Sequence, residues 1–169
     1  MPGRRRHERI RRLRTGGYHL AIPHGERELL RQLPGQLLEL LGTDDPALER
    51  LSPPAYGDDD ARSAEYAAMV RKDLLAQRRG SLQVLEATVD AEELDEEQAG
   101  AWLTALNDLR LVLGTRLDIT EDMEDRPVAA DEHTAAAYEV YRYLTFLQAQ
   151  LVDALSAGLA AVPRQGGGT

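Results

Sequence analysis

The chain contains no cysteine. That absence excludes disulfides, thiolate nucleophiles, cysteine-containing zinc sites and iron–sulfur ligation by cysteine. Aromatic residues are scarce, with one Phe, one Trp and six Tyr. With leucine dominating the apolar set, this favours a helical core over a β-sheet one. No apolar run approaches the ~18 residues that a membrane span needs. No apolar stretch follows the basic N-terminus as a secretory signal would require. A cytoplasmic location without a membrane partner is the expectation.

Reactive constellations are missing too. His7, His19, His24 and His133 include no i, i+4 pair and no His-Glu-x-x-His, so no metal site is expected. The acidic runs 58–60, 92–97 and 121–125 lack the mid-loop glycine and closing glutamate of a calcium loop. They read instead as helix caps and solvated turns. Ser52, Ser63, Ser81 and Ser156 stand in no Gly-x-Ser-x-Gly elbow, and no glycine-rich loop between strand and helix would cradle a nucleotide. No catalytic residue and no cofactor is expected, and the chain reads as a non-enzyme.

What is present is a chain of 169 residues, 43% hydrophobic and 29% charged, long enough for one domain with a core. Its net charge of −9 hides an asymmetry. Residues 1–14 hold Arg4, Arg5, Arg6, Arg9, Arg11, Arg12 and Arg14 against a single acid, Glu8. The remainder has 20 − 7 = 13 bases and 29 − 1 = 28 acids, a net of −15. An acidic body repels phosphate, so only this arm would be drawn to DNA or to an acidic partner. Docking of the arm on the acidic body is the competing expectation.

Along the chain, residues 8–22 read as a hairpin turned by Gly16-Gly17, with Tyr18, Leu20 and Ile22 alternating on the second strand. Residues 24–42 have helical spacing broken by Pro34-Gly35, which predicts one kinked helix or two short ones. A connector over 44–56 holds a helical turn or two at most. A long helix over roughly 60–90 is capped by Asp60, turns Val70, Leu74, Leu82, Leu85 and Val89 inward, and has a weak point at 77–81. Asp95 and Gln98 have capping-box spacing before a stripe of Trp102, Leu106, Leu109, Leu113 and Leu117. After a loop at 120–127, Asp131 caps a last helix that ends near Gly158. The expected fold is all-α: a bundle of four or five helices with a small N-terminal β-hairpin. It forms one domain over 1–160, with the bundle at 24–160 and a disordered tail at 161–169.

Within the stripe lies a polar wedge. Asn107, Arg110 and Gly114 fall at i, i+3 and i+7 along one edge of the apolar face. Their expected role is structural: Arg110 pairs with an acid or a helix end, and Gly114 admits a neighbouring helix. The alternative is a pocket in which Arg110 grips an anion. Asp108 is expected to point further toward solvent. In the last helix Tyr138 and Tyr141 share one side and Tyr143 and Phe146 another. One pair is expected to enter the core, and the other is a candidate partner surface.

"LNDLRLVLGTRLDITEDM" (106–123), preceded by "LDEEQAGAWL" (94–103), resembles the signature of an actinobacterial family long catalogued as a domain of unknown function and associated with the oxidative stress regulator AosR. "LSPPAYGDDD" (51–60), "EYAAMVRKDLLAQRR" (65–79) and "YRYLTFLQAQLVDAL" (141–155) are similar to its other blocks, so the likeness covers roughly residues 8–158. The resemblance implies a non-enzymatic cytoplasmic regulator acting on transcription in the oxidative stress response. Its partners would be DNA or the transcription machinery, reached through the arm, together with a protein partner, and an oligomer is possible. The alternative is a protein–protein adaptor without DNA contact. The family's redox-sensing member works through a cysteine pair, which this chain lacks.

Overall fold

A computed structural model describes residues 7–51, 61–119 and 131–160. The expected Asp60 cap, the 120–127 loop and the 161–169 tail lie outside these residues. Four α-helices and a short 3-10 helix (Pro46–Leu51) make up most of the chain: α1 His24–Leu40, α2 Ala61–Thr88, α3 Glu96–Arg116 and α4 Glu132–Ala160. The helical bundle and the N-terminal hairpin are therefore both present.

The hairpin consists of β1 (Ile10–Arg12) and β2 (Tyr18–Leu20), antiparallel, with Ile10 opposite Leu20 and Arg12 opposite Tyr18. A two-residue strand, β3 (Glu93–Leu94), joins β2 and makes a three-stranded sheet in the order β1-β2-β3. A two-stranded ribbon is marginal in water, and the third strand together with α4 supplies its support. Gln150 of α4 covers the outer edge of β1: its Oε1 accepts from the backbone N–H of Arg9 and of Ile10, and its Nε2 donates to the carbonyl of His7. That edge would otherwise present open backbone groups.

Both turn glycines adopt positive φ, +89° at Gly16 and +83° at Gly17. They differ in surroundings. A Cβ on Gly16 would meet nothing within 4 Å, whereas one on Gly17 would lie 2.9 Å from the backbone oxygen of Leu94. Gly16→Ala should therefore cost about 1 kcal/mol, for the left-handed backbone alone, and Gly17→Ala at least ~2 kcal/mol, because β3 must also move. Urea denaturation of the two variants checks the difference; equal losses would mean that β3 does not pack against the turn.

α1 runs unbroken through Pro34, which is buried. It is one helix, not two, although Pro34 has no N–H to give the carbonyl of Leu30. α2 is likewise continuous through 77–81, and the residues there are anchors: Arg79 donates to the carbonyl of Leu41 at the end of α1 (3.0 Å), and Arg78 turns toward α3. The capping box at Asp95 forms in both directions, Gln98 N to Asp95 Oδ1 at 2.7 Å and Asp95 N to Gln98 Oε1 at 3.0 Å. Asp131 caps α4 by accepting from Thr134 N at 2.7 Å, and that bond holds its carboxyl below the usual range.

α3 is the central element, packed against α2, α4, α1 and the 3-10 helix. It is buried along two lines. Trp102, Leu106 and Leu109 form the expected stripe, and Ala105, Asp108 and Val112 form a second at i, i+3 and i+7. Leu113 and Leu117 are only half-buried. A helix with neighbours on several sides has no single apolar face. Trp102 is fully buried and donates its indole N–H to Thr88 Oγ1 (2.7 Å), whose hydroxyl in turn bonds the Val84 carbonyl (2.6 Å). α3 ends in a Schellman motif, with Asp118 at φ +55°, Asp118 N on the Thr115 carbonyl and Ile119 N on that of Gly114.

Candidate functional site

The two sequence candidates, the arginine arm and the polar wedge, are resolved differently by the fold. Of the arm, Arg4, Arg5 and Arg6 lie outside the described residues. Arg9 and Arg12 turn back onto the body. Arg9 Nε pairs with Glu26 Oε2 of α1 at 2.8 Å. Arg12 Nη1 reaches Glu96 Oε1 at the start of α3 (3.3 Å) and the Tyr18 hydroxyl (3.4 Å), which itself donates to Glu96 Oε2 at 2.9 Å. Burial and the neighbouring Glu96 carboxylate push the Tyr18 hydroxyl pKa up.

The Arg12 guanidinium lies across α4 at Gly158, where a Cβ would fall 1.8 Å from Nη1. The last helix is described as far as Ala160, so Gly158 lies near its end as expected, and the glycine is the seat for Arg12. Arg11 and Arg14 are exposed and, among the described residues, form no ion pair. Arg11 sits opposite His19, and His19 opposite Glu93, so these three share the outer face of the sheet. The arm thus divides into two docked arginines and two displayed ones.

In the wedge, Asn107 Oδ1 accepts from Arg110 Nη2 (3.4 Å) and from Gln148 Nε2 of α4 (3.3 Å). Arg110 Nε is buried without a hydrogen-bond partner, and among the described residues no carboxylate lies within ion-pair distance of this guanidinium. The expected partner was an acid or a helix end; among the described residues Arg110 instead donates to the Asn107 amide oxygen. Gly114 brings α4 close: its Cβ would stand 3.1 Å from Tyr141 Cε2 and 3.5 Å from Arg50 Nη1. Arg50 also donates to the Ile119 carbonyl (2.7 Å) and closes the end of α3.

The expectation for Asp108 is overturned. It is 1% exposed, the one buried charged residue among those described, and it pairs with Arg78 of α2. Its second oxygen, Oδ2, has no hydrogen-bond partner. Arg78 also donates to the carbonyl of Leu51 at 3.1 Å, joining α2, α3 and the 3-10 helix. Burial raises the Asp108 pKa, and the adjacent guanidinium opposes that rise. This pair carried no sequence signal, because Arg78 lies thirty residues away in a stretch that looks like a weak helix.

A second arginine was missed altogether. Arg27 of α1 donates to four carbonyls: Ile22 (2.8 Å), Leu20 (3.2 Å), Val89 (2.6 Å) and Ala91 (2.9 Å). It ties the end of β2 to the turn between α2 and β3. The tyrosines split as follows. Tyr138 is buried and Tyr141 lies against Gly114, while the Tyr143 ring stacks at a tilt on the exposed Phe146, with centroids 6.5 Å apart. The Tyr143 hydroxyl is buried without a partner, and burial drives its pKa far upward.

Neither candidate encloses a ligand-sized space. The apolar crevice between α1, α3 and α4, lined by residues such as Leu37, Leu109 and Leu144, has a volume of about 60 Å³, whereas ligand pockets span roughly 300–1,000 Å³. An open groove beside the hairpin turn is lined by Glu93, Asp95, Glu96 and Glu97. Asp95 and Glu96 are already engaged there, in the capping box and with Arg12. Among the described residues no group of three or more His, Asp or Glu is placed to hold a metal, and no helix is long and apolar enough to cross a membrane. What the arrangement offers, among the described residues, is a pair of exposed arginines, Arg11 and Arg14, on the hairpin.

Comparison with known proteins identifies the family. Residues 7–155 match the model of a family described as "Domain of unknown function (DUF2017)". A putative oxidative stress regulator AosR of Mycobacterium leprae is 36% identical over 131 residues, covering 68% of this chain and 60% of that protein. The oxidative stress regulator AosR of Mycobacterium tuberculosis (strain H37Rv) is 35% identical over 125 residues, covering 64% and 57%. The chain thus spans about three-fifths of the length of these relatives. No solved structure matches it.

Proposed function

The chain belongs to the DUF2017 family, and we propose that it is a non-enzymatic regulator of the oxidative stress response that acts on transcription in the cytoplasm. The observation that carries this reading is the likeness to the two mycobacterial proteins named as oxidative stress regulators. The fold supports a contact through the basic arm. Besides the docked Arg9 and Arg12, the arm has the exposed Arg11 and Arg14, and its sequence adds Arg4, Arg5 and Arg6, five arginines that would meet DNA phosphates or an acidic surface of the transcription machinery. Arginine suits that role through its bidentate grip. With no thiol in the chain, the oxidant signal reaches it through another molecule and not through a disulfide of its own.

Deleting residues 1–14 would be a poor test, because it removes the buried Ile10 and the docked Arg9 and Arg12. The informative variant replaces Arg4, Arg5, Arg6, Arg11 and Arg14 with serine and keeps the other two. If all five reach phosphate, log affinity of the parent for promoter DNA falls with log salt at a slope of about −4.5, and the variant loses most of that slope. Cooperative melting of the variant confirms that the fold is intact.

The second reading, an adaptor that binds only protein, draws on the −15 charge of the body, which repels nucleic acid. It predicts no salt-steep DNA binding and a protein complex that survives the five substitutions. That result would place the contact surface on the helices.

A further inference from the structure

α2 is longer than the body it packs on. Its C-terminal part buries Leu82 and Leu85, and Val89 just past its end is buried as well. Toward the N-terminus, Ser63 to Met69 and Arg71 to Asp73 are all exposed, and Val70 alone is half-buried. Eleven residues, 63–73, about 16 Å of helix, therefore project with little support among the described residues. Two large apolar side chains stand on this projection, Tyr66 at 71% and Met69 at 65% exposure.

They are not the end of the core stripe. At about 100° per residue, the line through Leu75, Leu82, Leu85 and Val89 continues N-terminally through Ala64, Ala67, Ala68 and Arg71. Tyr66 and Met69 lie roughly 140–160° away from it, on the far side of the helix. Among the described residues, packing within one chain does not account for them.

The charges flanking this face indicate what covers it. Glu65 and Lys72 are both exposed, stand seven residues apart on the same flank of the Tyr66–Met69 stripe, and among the described residues form no ion pair. In an antiparallel helix pair, same-flank positions of the two helices meet, so Glu65 of each copy would face Lys72 of the other. In a parallel pair the opposite flanks meet, and Glu65 would face the uncharged Val70. The pattern is self-complementary in one orientation only.

We propose that the projecting part of α2 (63–73) is a homodimerisation site, where two copies pack antiparallel with Tyr66 of each against Met69 of the other and Glu65–Lys72 pairs closing the flank. This rests on α2 alone and is independent of the regulatory reading. A contact of this length is small, so the dimer is expected to be weak, with a dissociation constant on the order of 100 μM.

Sedimentation velocity of the full chain from about 5 to 500 μM should show a monomer–dimer equilibrium. Tyr66→Ala with Met69→Ser should abolish it while circular dichroism stays helical. Glu65→Lys and Lys72→Glu, each alone, should weaken self-association roughly tenfold. Mixing those two variants should restore it, because every facing pair in the mixed dimer is then of opposite charge. A chain that is monomeric throughout, a dimer indifferent to these substitutions, or singles that fail to rescue one another on mixing would each overturn the proposal. So would a monomeric chain whose Tyr66–Met69 face binds a different protein.

Discussion

Arg78→Ala is expected to cost about 3–5 kcal/mol of stability, the usual penalty for leaving one member of a buried ion pair without its partner. Asp108 is 1% exposed and already has one oxygen without a hydrogen bond. Removing Arg78 deprives the other oxygen of its donor as well. The loss should depend on pH in a defined direction. Burial raises the folded-state pKa of Asp108 above its unfolded value, and Arg78 is what opposes the rise. In the variant the rise is larger. A carboxyl of this kind favours folding most when protonated, below its unfolded pKa, and that contribution is lost as pH increases through the raised folded value. The deficit of Arg78→Ala relative to the parent should therefore be largest at neutral pH and shrink on acidification toward the ordinary carboxylate range. Urea unfolding of both proteins at matched pH values measures it. A deficit that grows on acidification would mean that Asp108 is stabilised as the anion by its surroundings. Combining Arg78→Met with Asp108→Leu should recover most of the loss, since apolar groups of similar size leave no charge to desolvate.

Arg27→Ala is expected to be nearly as damaging, about 3–4 kcal/mol. Its guanidinium satisfies carbonyls of Leu20, Ile22 and Val89, all in buried residues, and of Ala91. Hydrogen bonds from a charged donor are worth about 1.5–3 kcal/mol singly, and shared ones do not add in full. Arg27→Lys should recover less than half, because one ammonium cannot span carbonyls that the planar fork reaches on two sides. The damage should also be local before it is global. Amide hydrogen exchange should accelerate first at β2, β3 and the turn after α2, while the middle of α3 keeps its protection. Uniform acceleration across all elements would show that Arg27 has no special place at the junction of sheet and bundle. The same junction holds the docked arm, so loosening it should raise the exposure of Arg9 and Arg12.

Features that depend on neighbours in the chain were legible in the residues. The Asp95–Gln98 capping box, the Asp131 cap and the Gly16-Gly17 turn all form as read, because each is settled within four or five residues by backbone geometry and hydrogen bonding. The leucine period located the four helices for the same reason. Leu82, Leu85 and Val89 point inward as spaced, and so do Trp102, Leu106 and Leu109. Tertiary structure decided what a position on a helix means. Asp108 looks solvent-facing if α3 has one apolar side, and becomes buried because helices pack on several. Strand parity groups Arg9 with Arg11, but Glu26 of α1 pulls Arg9 inward and leaves Arg11 outside. Arg27, Arg78 and Gln150 are polar residues on ordinary helical spacing, and their partners come from other elements or from the connections between them. A guanidinium or amide finds its acceptors only after the elements have met, so its role is a property of their arrangement and not of the surrounding sequence.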